Sequence, residues 1–266
     1  MKKTSIFIFL IAALGCSKEN IQQKLEGALA SQRDQLPSEI QILELLELPT
    51  EGYATIRSWA TLSIQDLRGP EVIISGFGYS KGGVKSDFGS LAFGSIVTNT
   101  VSSTNFDYLT IGPSGAKELF GTTTSVSLAG SQSQDLPGFS TSYYIPKMMT
   151  ITSPSFSNNS IVSSGTTITW EPDSNNTYGV GIAIHYDPNS HENTDLNQSG
   201  STVINVVRVE DTGSYTITAN DLAGIPSNAR LRLGIGRGNY QRVSMPDDYH
   251  FGLVAYSVVA HSFIKQ

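Results

Sequence analysis

A chain of 266 residues with 17 Lys and Arg against 23 Asp and Glu, and a formal net charge of −6, carries no basic run or aromatic-basic stripe, which argues against nucleic acid as a partner. Its single cysteine excludes an intrachain disulfide and any multi-cysteine metal site. Only 15% of the residues are charged while Ser, Thr, Asn and Gly are plentiful, a composition that suits an extracellular β protein better than a cytosolic enzyme.

The N-terminus divides into three zones. Lys2 and Lys3 form a short positive region, residues 6–14 are an unbroken apolar run, and Gly15-Cys16 ends it. Such a run is too short to cross a bilayer, which takes about 20 helical residues. The pattern is that of a removable signal peptide over residues 1–15. Ala13-Leu14-Gly15-Cys16 resembles the bacterial lipobox, in which the cysteine is lipidated and becomes the mature N-terminus. Ala and Leu stand in the reverse of the usual order, a looser box similar to those of the Bacteroidota. The resemblance implies a diacylglycerol on Cys16 plus an N-acyl chain such as palmitate, and more than one chain is what stable anchoring requires. Ser17 after the cysteine, in place of Asp, implies by Gram-negative sorting rules the outer membrane. Lys18-Glu19 resembles the charged tag of Bacteroidota surface lipoproteins.

Residues 16–50 are expected to be a partly helical tether. Ile21, Leu25, Ala28 and Leu29 recur on one helical face, and Leu36-Pro37 should stop that helix. A second apolar patch, residues 40–48, ends at Pro49. The segment is either a stalk between lipid and domain or a piece that docks on a strand.

From Tyr53 onward short runs rich in Val, Ile, Thr and aromatics are punctuated by Gly, Pro, Asn and Asp. Strands are expected over residues 60–64, 72–79, 91–97, 126–128 and 139–145. This predicts an all-β chain of two sandwiches, residues 51–146 and 147–266, with the seam at Pro146, beyond which the pattern restarts. In the second half period-two alternation places Ile168, Trp170, Ile182, Ile184, Tyr215, Ile217, Leu231 and Leu233 inward, a complete core without help from residues 53–145. Residues 251–264 read as one long closing strand.

Thr167-Ile168-Thr169-Trp170-Glu171-Pro172 resembles the second strand of a fibronectin type III domain, whose Trp caps the core before a Pro turn. Residues 180–186 would be its third strand. Ser214-Tyr215-Thr216-Ile217, followed by Leu222 and Pro226, is similar to the strand leading to that family's Leu-x-Pro turn, and residues 231–235 would come next. Asp211-Thr212-Gly213-Ser214-Tyr215 also resembles the immunoglobulin tyrosine corner, with Ile217 where that family has cysteine. The resemblance implies an immunoglobulin/fibronectin III-like sandwich and carries no functional residue. The whole resembles surface lipoproteins of the Bacteroidota.

No residue is assigned to catalysis. Gly112-Pro113-Ser114-Gly115 lacks the Gly-x-Ser-x-Gly spacing of a nucleophile elbow and reads as a turn. Gly234-Ile235-Gly236-Arg237-Gly238 lacks nucleotide-loop spacing and reads as a strand end before a turn. His185, His191, His250 and His261 form no metal-ligand pair and read as surface residues. Asp173, Asn175 and Thr177 alternate as calcium ligands do, and Asp187, Asn189, Glu192 and Asp195 form a second oxygen-rich cluster, but no EF-hand spacing is present. Trp170 is expected in the core; Trp59 and Tyr240 are left open as stacking platforms. The expected function is a membrane-anchored, non-catalytic structural or binding module for an envelope protein or polysaccharide, with no cofactor. The alternatives are a surface glycan hydrolase with a site assembled from scattered acids, and a calcium-dependent adhesin.

Overall fold

The computed structural model describes residues 52–62, 67–78, 80, 84, 86–99, 108–155, 160–194, 196 and 200–266. The expected signal peptide, Cys16, helical tether and Asp195 lie outside them. The described strands in chain order are β1 (Gly52–Leu62), β2 (Leu67–Gly78), β3 (Leu91–Phe93), β4 (Ile96–Thr98), β5 (Tyr108–Ile111), β6 (Thr122–Leu128), β7 (Phe139–Ile145), β8 (Ile151–Ser153), β9 (Ile161–Val162), β10 (Thr167–Trp170), β11 (Val180–Tyr186), β12 (Val203–Val209), β13 (Ser214–Thr216), β14 (Arg230–Ser244) and β15 (His250–Lys265). A single turn of α-helix, His191–Thr194, interrupts them. No helix among the described residues is long and apolar enough to cross a membrane.

One long sheet carries the molecule. Its order is β12-β11-β14-β15-β1-β2-β5, and β9 pairs with the C-terminal end of β15 beyond the point where β1 stops. The longest strand, β15, spans about 50 Å at ~3.4 Å per residue. It forms an antiparallel hairpin with β14 over its whole length and pairs in parallel with β1, from Gly52 opposite Phe251 to Leu62 opposite His261. Two smaller sheets, β4-β3-β6-β7 and β13-β10-β8, make up the rest. The fold is an all-β arrangement of sandwiches. In the second half β8, β10 and β13 stand against β11, β14 and β15 with β12 beside β11, the strand arrangement of an immunoglobulin-like sandwich.

Two hydrophobic cores lie along the long sheet. The first gathers Leu91, Phe93, Val126, Leu128, Tyr143 and Ile145 of the four-stranded sheet over Val72 and Ile74 of β2. It also takes Val243, Phe251, Leu253 and Ala255 from the far ends of β14 and β15. The second lies wholly within residues 149–263 and contains Ile168, Trp170, Ile182, Ile184, Ile217, Leu231 and Leu233, with Tyr215 packed at its margin. The chain thus passes from one core to the other at Pro146 and returns within the last hairpin. The first sandwich is completed by residues from the end of the sequence.

Two local features differ from the sequence reading. Residues 91–97 form a hairpin, because Gly94 takes a left-handed φ of +58° and folds β4 back on β3. Gly234, Gly236 and Gly238 lie in the middle of β14, which continues to Ser244 in unbroken register with β15. Entry into β11 depends on Gly179, whose φ is +74° and where a Cβ would stand 2.4 Å from the Val209 carbonyl oxygen.

Candidate functional site

The ionisable residues that come together lie between the cores. Along the inward face of β14, Leu231, Leu233 and Ile235 enter the second core and Val243 the first, and Arg237, Asn239 and Gln241 occupy the stretch between. Ser257 holds the equivalent place in β15. These polar groups bind the segments that bridge the cores. Tyr143 Oη donates to the Asn239 carbonyl at 2.6 Å, Asn239 Nδ2 to the Tyr144 carbonyl at 2.8 Å, and Gln241 Nε2 to Thr141 Oγ1 at 3.3 Å. The Met149 N–H donates to Ser257 Oγ at 2.8 Å.

Arg237 is the centre of this band. Its side chain has no exposure; Nη2 donates to the Glu171 carbonyl at 2.6 Å, and Nη1 lies 3.4 Å from Asp211 Oδ2 and 3.8 Å from Asp173 Oδ2. Asp211 is held by Trp170 Nε1 and Asn176 Nδ2, each at 2.8 Å. Asp173 accepts from Tyr144 Oη at 2.7 and 2.8 Å, from the Lys147 N–H at 2.9 Å and from the Asn175 N–H at 3.1 Å. Burial alone would raise the Asp173 carboxyl, but the Lys147, Tyr144 and Asn175 donors and the Arg237 charge outweigh it and hold it below the ordinary carboxylate value. The Tyr144 phenol is pushed up to about 12, by burial and by Asp173, so it remains a donor. Burial lowers the Arg237 guanidinium, against the opposing pull of Asp211 and Asp173. Two carboxylates, one guanidinium and an indole N–H thus weld the Trp170 strand to the long sheet.

The residues expected as oxygen ligands are dispersed in function. The Asp173 carboxylate faces this band and is engaged by three donors of the protein itself. Asn175 and Thr177 are exposed in the following turns. Asp187 closes an Asx turn, its Oδ1 accepting from the Asn189 N–H at 2.9 Å. Asn193, 1% exposed, ties that loop to β14 by donating to the Asp187 and Arg230 carbonyls, both at 2.9 Å. Glu192 stands in the same helical turn. Among the described residues no group of three or more His, Cys, Asp and Glu is placed to hold a metal ion.

Trp170 is core, 3% exposed, and Tyr240 is buried at 3%; the side chain of Trp59 lies outside the described residues. Three of the histidines depart from the surface reading, and the side chain of His191 lies outside the described residues. His250 is partly buried, its Nε2 3.6 Å from Asp248 Oδ1, while His185 and His261 are buried at 5% and 4% exposure. His261 shares the inward parity of Val259 and Phe263 and stands opposite Leu233, on the side of the second core, whereas His185 lies on the other face of the sheet, opposite Arg232. Gly112-Pro113-Ser114-Gly115 forms a turn, with the Ala116 N–H donating to the Pro113 carbonyl at 3.2 Å. The sequence reading gives Tyr144 no role and takes in Asp211 and Arg237 only as members of the tyrosine-corner and glycine motifs. Arg237 had a signal, since it shares the inward parity of Leu231, Leu233 and Ile235.

His261 sets a pH dependence. Burial lowers its imidazole from the ordinary 6.5 to about 4. Between those values the unfolded chain binds a proton there that the folded chain refuses. Stability is therefore expected to fall as pH drops from about 6.5 to about 4, by about 3 kcal/mol in all. His261→Leu should flatten this limb in urea titrations run across that range. The same slope in the variant would show that His261 does not cause it.

No protein-family model matches the chain, and no curated protein matches it. Among solved structures it aligns with a Ca2+-stabilized adhesin that helps an Antarctic bacterium reach out and bind ice, at a TM-score of 0.20 and 11% identity. The alignment covers 80% of this chain and 49% of that one, so the chain spans about half of the adhesin's length. A likeness of this size carries nothing over to this protein.

Proposed function

We propose that this protein is a lipoprotein of the bacterial outer membrane, anchored through Cys16, whose sandwiches act as a non-catalytic structural or binding module for an envelope protein or polysaccharide. The observation that carries the reading is the Gly15-Cys16 junction at the end of the apolar run 6–14, behind Lys2 and Lys3. The buried Asp173, Asp211 and Arg237 support the non-catalytic part, because their polar atoms serve the joint between the cores. An all-β body fits this role, since its loops and edges offer surface for recognition.

Cys16→Ser is expected to abolish incorporation of labelled palmitate and release the protein from the membrane pellet, with its melting temperature unchanged. Equal retention of the variant in the pellet would remove the lipoprotein reading. A pull-down from gently solubilised native envelope would then identify the partner.

A further inference from the structure

β1 enters the sheet at Gly52, opposite Phe251 of the first core, and ends at Leu62, opposite His261 beside the second. It runs parallel to β15 over that whole length, about 35 Å at ~3.3 Å per residue. On its other edge it pairs antiparallel with β2, so both of its edges are occupied. Ala54 and Ser58 are buried along it, at 0% and 2% exposure. β15 in turn pairs with β14 without a break from His250 to Ile264. A pull on the chain ahead of Gly52 therefore passes directly to the second sandwich through one ladder, that between β1 and β15. A body held at two points turns until the line between them lies along the force. With one point at Gly52 and the other in the second sandwich, that line follows the strands. β1 is then drawn toward its own start while β15 is held toward its end. Such a load is shear: the hydrogen bonds of a parallel ladder all lie across it and must stretch together. A slip by one residue would also turn every β1 side chain to the opposite face and take Ala54 out of the first core.

We propose that β1 is a tension clamp, which keeps the body folded when it is pulled between the N-terminal side of the chain and a partner held on the second sandwich. The source of the load is the membrane anchoring proposed above, and the inference rests on that reading for its purpose but not for its geometry. The clamp has a direction. A partner held on the first sandwich, near the turn between β14 and β15, would draw Gly52 sideways off Phe251. The ladder would then open one bond at a time from that end, and its length would add nothing to its strength.

The test pulls single molecules of the full chain in optical tweezers, in a Cys16→Ser background, from two pairs of introduced cysteines. Glu51→Cys with Gln266→Cys loads β1 against β15 in shear. Glu51→Cys with Ser244→Cys loads the same ladder from its Gly52 end, because Val243 pairs with Phe251 and Phe251 with Gly52. Gln266 and Ser244 are exposed, and thermal melts of both variants confirm the same fold before pulling. Forced unfolding reads the unfolding barrier, so the two geometries are compared at one loading rate. The expected result is a rupture force several-fold higher for the first pair. Equal forces, or a weaker first pair, would overturn the clamp. Loss of the anchor reading would show in palmitate labelling of Cys16 and would leave this comparison of forces unchanged.

Discussion

Arg237→Ala is expected to cost about 3–5 kcal/mol, the loss typical of removing one partner from a buried charge cluster. The carboxylates of Asp173 and Asp211 stay in place, 1% and 2% exposed at their side chains, with no cation beside them. A protein of this kind has only about 5–15 kcal/mol to lose, so urea melts at neutral pH should show the change plainly. Asp173 adds a pH signature. Its folded value lies below its unfolded one, so the stability it contributes is present above the unfolded value near 3.9 and is lost as pH falls through the folded value. This window lies below that of His261, and the two acid limbs are therefore separable. Adding Asp211→Asn to Arg237→Ala should recover part of the loss, because it removes one of the uncompensated charges. A cost under about 1 kcal/mol, in the range of exposed pairs, would mean that the cluster is solvated and the joint is held by packing alone.

Phe251→Ala should cost a similar amount, about 3–5 kcal/mol, as large-to-small changes in a core do. Its ring is fully buried, with centroids 6.1 Å from Phe88 and 5.7 Å from Phe139. The informative part is where the loss falls. Phe251 lies in the last strand, yet its partners belong to the first sandwich. Hydrogen exchange is expected to rise in β6 and β7 well before it rises in β11. Equal deprotection of β11 would show that the two cores open together.

The sequence made the second core legible because its strands alternate cleanly: Ile168 and Trp170, Ile182 and Ile184, Leu231 and Leu233 all occupy the inward positions assigned to them. β7 was legible for the same reason, and its observed limits are those of the apolar and aromatic run. The middle of β14 was not. Glycine normally punctuates a strand, and Gly234, Gly236 and Gly238 masked its continuation. Arg237, Asn239 and Gln241 then broke the apolar alternation, because those inward positions face the polar joint and not a core. β12 was missed because Val203–Val209 is evenly half-buried at a sheet edge and shows no period-two contrast. His185 reads as a surface residue because alternation implies an outer face only where one side of a sheet meets water, whereas His261 has the inward parity of Val259 and Phe263 and is buried for that reason. The parallel pairing of β1 with β15 joins the two ends of the described chain, and no local pattern announces a contact of that separation. For Asp173, the alternation of oxygen-bearing residues was visible, but Tyr144 and Arg237, which determine its role, come from distant strands.

The first sandwich is closed by the last hairpin, while the second core is self-contained within residues 149–263. This division is tested most directly by preparing residues 51–146 and residues 147–266 separately and recording circular dichroism and amide exchange of each alone and of the mixture. Residues 147–266 are expected to protect β10, β11 and the Leu231–Ile235 part of β14. Residues 51–146 should stay unfolded alone and gain protected amides in β6 and β7 only when the second piece is added. A cooperative, protected fold of residues 51–146 in isolation would show that the first sandwich does not need the last hairpin.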